Sequence, residues 1–314
     1  MEKPAGKTNQ RWRWLIRVTV WLQKLGVMPG HERLAQWPLD KRKAIVPAPW
    51  MTFPSPSSVT ISSETIDSRG GPLALRLFRK SAAQKPSILF IHGGGWICGG
   101  PGALDYLCAN LCDRLDLCVA SVDYRLAPET KFPGALEDCY DALKWVAQQA
   151  GKPVFVVGDS AGGNLCAALC LLARERGGPA IAHQTVIYPT LDGTCESPSM
   201  TTHQHFGPTR NDMLWAVKLY LGDHDRLDPL ASPIHAKDHR GLPPAFILTA
   251  DCDLLRDDGA RYAELLKKAG VPVRYKNYLD ATHAFLSHPK LSYAGEESLQ
   301  DITEEMRAHL PKSG

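Results

Sequence analysis

The stretch VFVVGDSAGGNLCAALCLLARER, residues 154–176, leaves a chain few ways to fold. It opens on four consecutive apolar residues, too short for a helix and without the alternation of a half-exposed strand. That is the mark of a strand buried on both faces. Apolar residues then return at helical spacing over 162–176. Between strand and helix lies Gly-Asp-Ser-Ala-Gly, where the two elements crowd so closely that only small neighbours such as Gly158 and Gly162 fit. Similar apolar runs recur at 87–91, 117–122, 185–188, 245–250 and 273–278, and further helical stretches fall at 104–115, 135–149 and 259–269. Gly270, after LLKKA, suits a helix stop. Short strands alternating with helices predict an α/β architecture, a mainly parallel sheet covered on both faces. SVTISSETID and LALRLFR, on either side of SRGGP, predict an antiparallel pair ahead of it.

Two segments break the alternation. Residues 1–50 read as helical and lead into the Pro-rich VPAPWMTFPSPSS, and 191–240 carry one predicted helix, DMLWAVKLYL, between Pro- and His-containing loops. RWRWLIRVTVWL, residues 11–22, could mimic a secretory signal, but Arg17 interrupts it and no small-residue cleavage site follows. Its periodicity predicts an amphipathic helix packed on the protein's own body, with contact to a membrane surface as the rival reading. No run of about 18 apolar residues predicts a membrane-spanning helix. A net charge of +3 over 314 residues makes no electrostatic case for nucleic acid. The nine cysteines lack CxxC spacing, and several fall on apolar helix faces, so they read as buried, reduced thiols in a cytoplasmic protein. His203, His205, Asp223, His224 and Asp225 read as a solvated loop, and no metal is assigned.

Ligands in open α/β sheets sit beyond the carboxyl ends of the strands. Ser160 stands there, on a sharp strand-to-helix turn that exposes its hydroxyl. A serine hydroxyl needs a base to take its proton, and the base needs a third group to orient it. Candidates follow in the chain order Ser, Asp, His that suits this topology. His283 comes after the last apolar run, with His288 as its nearest rival. Asp253 comes after the run 245–250. Asp257 and Asp258 read as caps of the following helix, Asp280 would need a tight turn back to His283, and Asp251 stays open on local pattern. The cluster IHGGGWICGG, residues 91–100, follows an earlier strand. Its glycines let main-chain N–H groups approach a developing oxyanion. Gly93 and Gly94 are the predicted donors, with Ala161 as the third, and His92 is predicted to brace the loop.

HGGGW at 92–96 and GDSAGGN at 158–164 resemble the hormone-sensitive-lipase-like branch of α/β-hydrolase esterases. VDYRLAPE with FPGALED, YLGDHDRLDPLASP, and LPPAFILTADCDLLRDDG are similar to that family's pattern. The likeness covers roughly 58–290, and LDATHAFL is most similar to the bacterial acetyl esterase group. The resemblance implies an α/β-hydrolase fold: an eight-stranded, mostly parallel sheet with helices on both faces and a helical cap. It assigns 1–50 to N-terminal cap helices and linker, 51–190 and 241–314 to the catalytic core, and 191–240 to a cap insertion. It selects Asp253 as the triad acid and implies no cofactor. One departure stands out: many members carry Gly after the catalytic histidine, where this chain has Ala284.

The expected activity is hydrolysis of small-molecule esters with short to medium acyl chains, of acetyl or butyryl type, by a serine carboxylesterase. A deacetylase or amidase of the same fold, or a small-molecule-binding regulatory module, is the alternative. A homodimer stays open.

Overall fold

The computed structural model describes residues 31–151, 153–203 and 207–310. The Trp-rich segment at 11–25 therefore lies outside the described residues. Eight strands form one sheet: β1 (Thr60–Ser68), β2 (Gly71–Arg79), β3 (Pro86–Ile91), β4 (Cys118–Val122), β5 (Val154–Asp159), β6 (Ile181–Ile187), β7 (Ala245–Cys252) and β8 (Val273–Thr282). Their order is β1-β2-β4-β3-β5-β6-β7-β8. β1 pairs antiparallel with β2 and β2 antiparallel with β4, and every later pairing is parallel. The predicted pair and six parallel runs are thus all present.

The described helices are α1 (His31–Leu34), α2 (Leu39–Lys43), α3 (Asp105–Leu115), α4 (Gly134–Ala150), α5 (Ala161–Glu175), α6 (Ser199–Thr202), α7 (Arg210–Leu221), α8 (Arg256–Lys268) and α9 (Ala294–Ala308). Every residue of β3, β4 and β5 is buried, as continuous apolar runs require. Alternation along β3 divides the core. Ile88 and Phe90 face the layer of α3 and α9, while Leu89 and Ile91 face α4, α5 and α8.

Several features differ from the sequence reading. β6 starts at Ile181, ahead of the apolar run, and its polar Gln184 is buried with partners. Gln184 donates to the Pro243 carbonyl at 3.0 Å and accepts from the Tyr262 hydroxyl at 3.1 Å. α8 starts at Arg256, so Asp257 and Asp258 sit in its first turn and are not its caps. Asp257 accepts from the Ser199 N–H at 2.9 Å, and buried Asp258 accepts from the N–H groups of Leu191 and Asp192 at 2.9 and 3.2 Å. These carboxylates hold the chain that leaves β6. α9 has no counterpart in the sequence reading, although Leu299, Ile302 and Met306 recur at helical spacing and are all buried.

Candidate active site

β5 ends at Asp159, α5 begins at Ala161, and Ser160 alone makes the turn, with φ 53° and ψ −117°. That sparsely populated conformation persists because its surroundings over-determine it. The Ser160 N–H donates to the Ile187 carbonyl at 2.8 Å. A Cβ on Gly158 would stand 2.2 Å from the Gly162 carbonyl oxygen, and one on Gly162 2.1 Å from that of Ile91. Gly-x-Ser-x-Gly is therefore imposed by backbone crowding on both sides of the serine.

The Ser160 Oγ lies 3.0 Å from Nε2 of His283, whose Nδ1 lies 2.8 Å from Oδ2 of Asp253. Asp253 is buried in the turn after β7, where its Oδ1 accepts the Leu255 N–H at 2.9 Å. His283 follows β8 directly. Three loops at the carboxyl ends of β5, β7 and β8 thus meet at one point. The rival acids stand elsewhere: Asp251 accepts from Asn277 at 3.2 Å, Asp257 and Asp258 serve the chain after β6, and Asp280 lies within β8. Burial alone would lower the pKa of His283. The charge of Asp253 and its hydrogen bond outweigh burial, and Asp159 adds to them, so the pKa is raised.

The glycine loop after β3 packs against this turn. His92 is fully buried, its Nδ1 donates to the Gly93 carbonyl at 2.8 Å, and its ring stacks on Tyr124 at 4.2 Å. Burial lowers its pKa to about 4, so it is a neutral brace, as expected. Gly94 adopts φ +115°, and a Cβ there would meet the Cys98 carbonyl oxygen at 2.0 Å. The expectation for Gly93 needs correcting. Its N–H donates to Asp159 Oδ1 at 2.8 Å, so a carboxylate already occupies the donor assigned to an oxyanion. Ala161 fits its expected role better, since the first N–H groups of a helix have no intrahelical acceptor.

Asp159 is a buried residue supporting the site that the sequence reading does not single out. Burial pushes its carboxyl up to about 6, against the hydrogen bond from Gly93 that favours the charged form. Only its place beside Ser160 could have signalled it. Arg42 is another. It is fully buried and donates to the carbonyls of Ile97 at 2.7 Å, Ala127 at 2.8 Å and Trp37 at 3.0 Å, and it pairs with Glu129. It clamps the segment before β1 to the glycine loop, and no local pattern marks it.

A cavity of about 330 Å³ opens over Ser160 and His283. Its walls include Ile45, Val46 and Pro47 from the N-terminal segment, Leu104 from the core, and Pro208 and Met213 from the 191–240 segment. Trp96 of the glycine loop stacks on Tyr220 of α7 at 4.4 Å, which ties that segment to the loop. No grouping of His203, Asp223, His224 and Asp225 able to hold a metal appears among the described residues, and His205 lies outside them. None of the nine cysteines forms a disulfide; eight are buried and Cys252 is half-buried.

A family model described as alpha/beta hydrolase fold matches residues 88–287. The chain belongs to the hormone-sensitive-lipase-like branch of the α/β-hydrolases. This hydrolase is 37% identical over 269 residues to the carboxylic ester hydrolase LipN of Mycobacterium tuberculosis, covering 81% of this chain and 72% of that one. It is 34% identical to the ethyl acetate hydrolase of Pseudomonas putida, covering 80% and 83% of the two chains. Among solved structures it resembles the hyperthermophilic esterase of Pyrobaculum calidifontis, with TM-score 0.78, 32% identity and 98% and 99% coverage. No helix of the hydrolase, among the described residues, is long and apolar enough to cross a membrane.

Proposed function

We propose that the chain is a serine carboxylesterase acting on small-molecule esters of short to medium acyl length. The observation that carries the proposal is the line from Ser160 Oγ through His283 to Asp253, at 3.0 and 2.8 Å, opening into a largely apolar cavity. In the proposed reaction, Ser160 Oγ attacks the ester carbonyl as its proton passes to His283 Nε2. Asp253 holds the imidazole in the right tautomer and stabilises the imidazolium that forms. The tetrahedral oxyanion is received by N–H groups of Gly94 and Ala161. Gly95, the next residue of the loop along the cavity wall, takes the place first expected of Gly93. The imidazolium protonates the departing alcohol, leaving an acyl-enzyme. Water, deprotonated by His283, attacks the acyl carbon and releases the acid.

The described parts of 1–50 and 191–240 act in this proposal as the cap, supported by Ile45, Val46, Pro47, Pro208 and Met213 in the cavity wall. The relatives point the same way, since those with curated names include a carboxylic ester hydrolase and an ethyl acetate hydrolase. Buried thiols support a reducing compartment, the cytoplasm, as the place of work.

The test is hydrolysis of p-nitrophenyl esters from acetate to decanoate by the native chain and by Ser160→Ala. Hydrolysis of the short esters should fall by roughly 10⁴-fold or more in the variant. Equal rates from both proteins would remove Ser160 from the reaction.

A further inference from the structure

We propose that His183, Glu305 and His309 form a binding site for one divalent transition-metal ion of the zinc type, at the end of the sheet away from Ser160. Among the described residues, these three offer ligand atoms that all lie within 4.8 Å of one another. Glu305 Oε1 stands 3.7 Å from His183 Nε2 and 3.7 Å from His309 Nδ1. Ligands about 2.0–2.2 Å from a tetrahedral ion lie roughly 3.4 Å apart, so closing on the ion takes only a few tenths of an ångström for these pairs.

The two imidazoles come from different layers. His183 sits near the start of β6, fully buried, with its Nε2 making no hydrogen bond. Its Nδ1 lies 3.3 Å from Thr185 Oγ1, which orients the ring and leaves Nε2 facing Glu305. Glu305 and His309 are four residues apart at the end of α9 and so share one helix face. The His309 Nδ1–H donates to the Glu305 carbonyl at 2.9 Å. Ion binding at Nδ1 requires the ring to turn away from that carbonyl and its proton to move to Nε2, which frees a last-turn carbonyl. His309 and Glu305 are partly exposed, which gives the ion a route in and leaves room for water as a fourth ligand.

The donor set selects the kind of ion. The Arg274 guanidinium lies 3.4 Å from Glu305 Oε2, and Arg274 and Lys276 both pair with nearby Asp301. Acidic charge here is therefore largely matched by basic charge. Calcium and magnesium need several oxygen ligands, whereas two imidazoles and one carboxylate oxygen suit zinc, cobalt, nickel or copper. Ser160 follows the opposite, carboxyl end of neighbouring β5. The ion would thus fasten α9 to the sheet without entering the chemistry.

Zinc titration by calorimetry, with calcium as a parallel arm, tests the assignment on the native chain, His309→Ala, Glu305→Gln and His283→Ala. One zinc equivalent should bind the native chain and His283→Ala. Zinc should bind roughly 100-fold more weakly to His309→Ala and Glu305→Gln. Zinc should also raise the thermal midpoint of the native chain and leave that of His309→Ala unmoved. Native-like ester hydrolysis by His309→Ala and Glu305→Gln is the check that both are folded. No zinc equivalent in the native chain, an unchanged affinity in either folded variant, a site that vanishes only with His283, or calcium binding as tightly as zinc would each overturn the proposal.

Discussion

Ser160 holds φ 53°, and the left-handed region recurs just after the proposed base, where Ala284 has φ 56°. Holding a residue with a Cβ there costs roughly 1–2 kcal/mol. That explains why glycine suits this position in the family and what the methyl group does here. Ala284→Gly removes that cost but loosens the unfolded chain, so a net gain below about 1 kcal/mol is expected in urea unfolding. The electrostatics of His283 also have a testable sign. A protonated imidazole cannot accept the Ser160 proton, so activity is present above its pKa and lost as pH falls through it. Because that pKa is raised above the ordinary 6.5, the acid limb of kcat/KM should lie above pH 6.5. Burial pushes Asp159 up to about 6, so it is largely ionised where that limb begins, and its charge helps to raise the pKa of His283. Asp159→Asn keeps an oxygen acceptor for the Gly93 N–H but removes the charge. Its acid limb should therefore move to lower pH, and an unmoved limb would show that Asp159 does not act on the imidazole.

Between elements, Arg42 of α2 anchors the segment before β1 to the glycine loop. One side chain satisfies carbonyls of Trp37, Ile97 and Ala127, and the Arg42 carbonyl accepts the Gly99 N–H at 3.0 Å. Lys43 adds a 2.8 Å pair with Asp123 after β4. Arg42→Met would leave buried carbonyls without donors. A loss of about 2–4 kcal/mol is expected in urea unfolding, with a fall in kcat/KM because Ile97 belongs to the glycine loop. α5 and α9 differ in how they announce themselves. α5 follows a buried strand across a glycine-rich turn and is legible at once. α9 is harder to see because acidic residues fill its exposed face and its apolar stripe meets only the far layer of the core.

Three distant parts of the chain close over the cavity: 45–47, the core loops, and 208–213. Acyl length is thus a property of their assembly, and Met213 is the side chain through which α7 reaches the pocket. Met213→Ala should favour longer chains, raising the decanoate-to-acetate ratio of kcat/KM by about tenfold. An unchanged ratio would mean that the acyl chain runs along another wall.

Much of the arrangement is legible in the chain itself. Short, uninterrupted apolar runs between turn residues mark strands buried on both faces. A serine between a strand and a helix requires glycines around it, and loops at the carboxyl ends of parallel strands converge. Those rules act over a few residues; they bring Ser160 and His283 into view and leave Asp251 open beside Asp253, which the family resemblance selects. The rest depends on which distant groups become neighbours. Asp257 and Asp258 read as helix caps until α8 meets the chain after β6, where both carboxylates accept from N–H groups. Gly93 serves as well as its neighbours for an oxyanion donor until Asp159 stands 2.8 Å from its N–H. Arg42, and the meeting of His183 with Glu305 and His309, carry no local pattern at all. A buried charge or an imidazole cluster is defined by what surrounds it, and only the packed layers supply those surroundings.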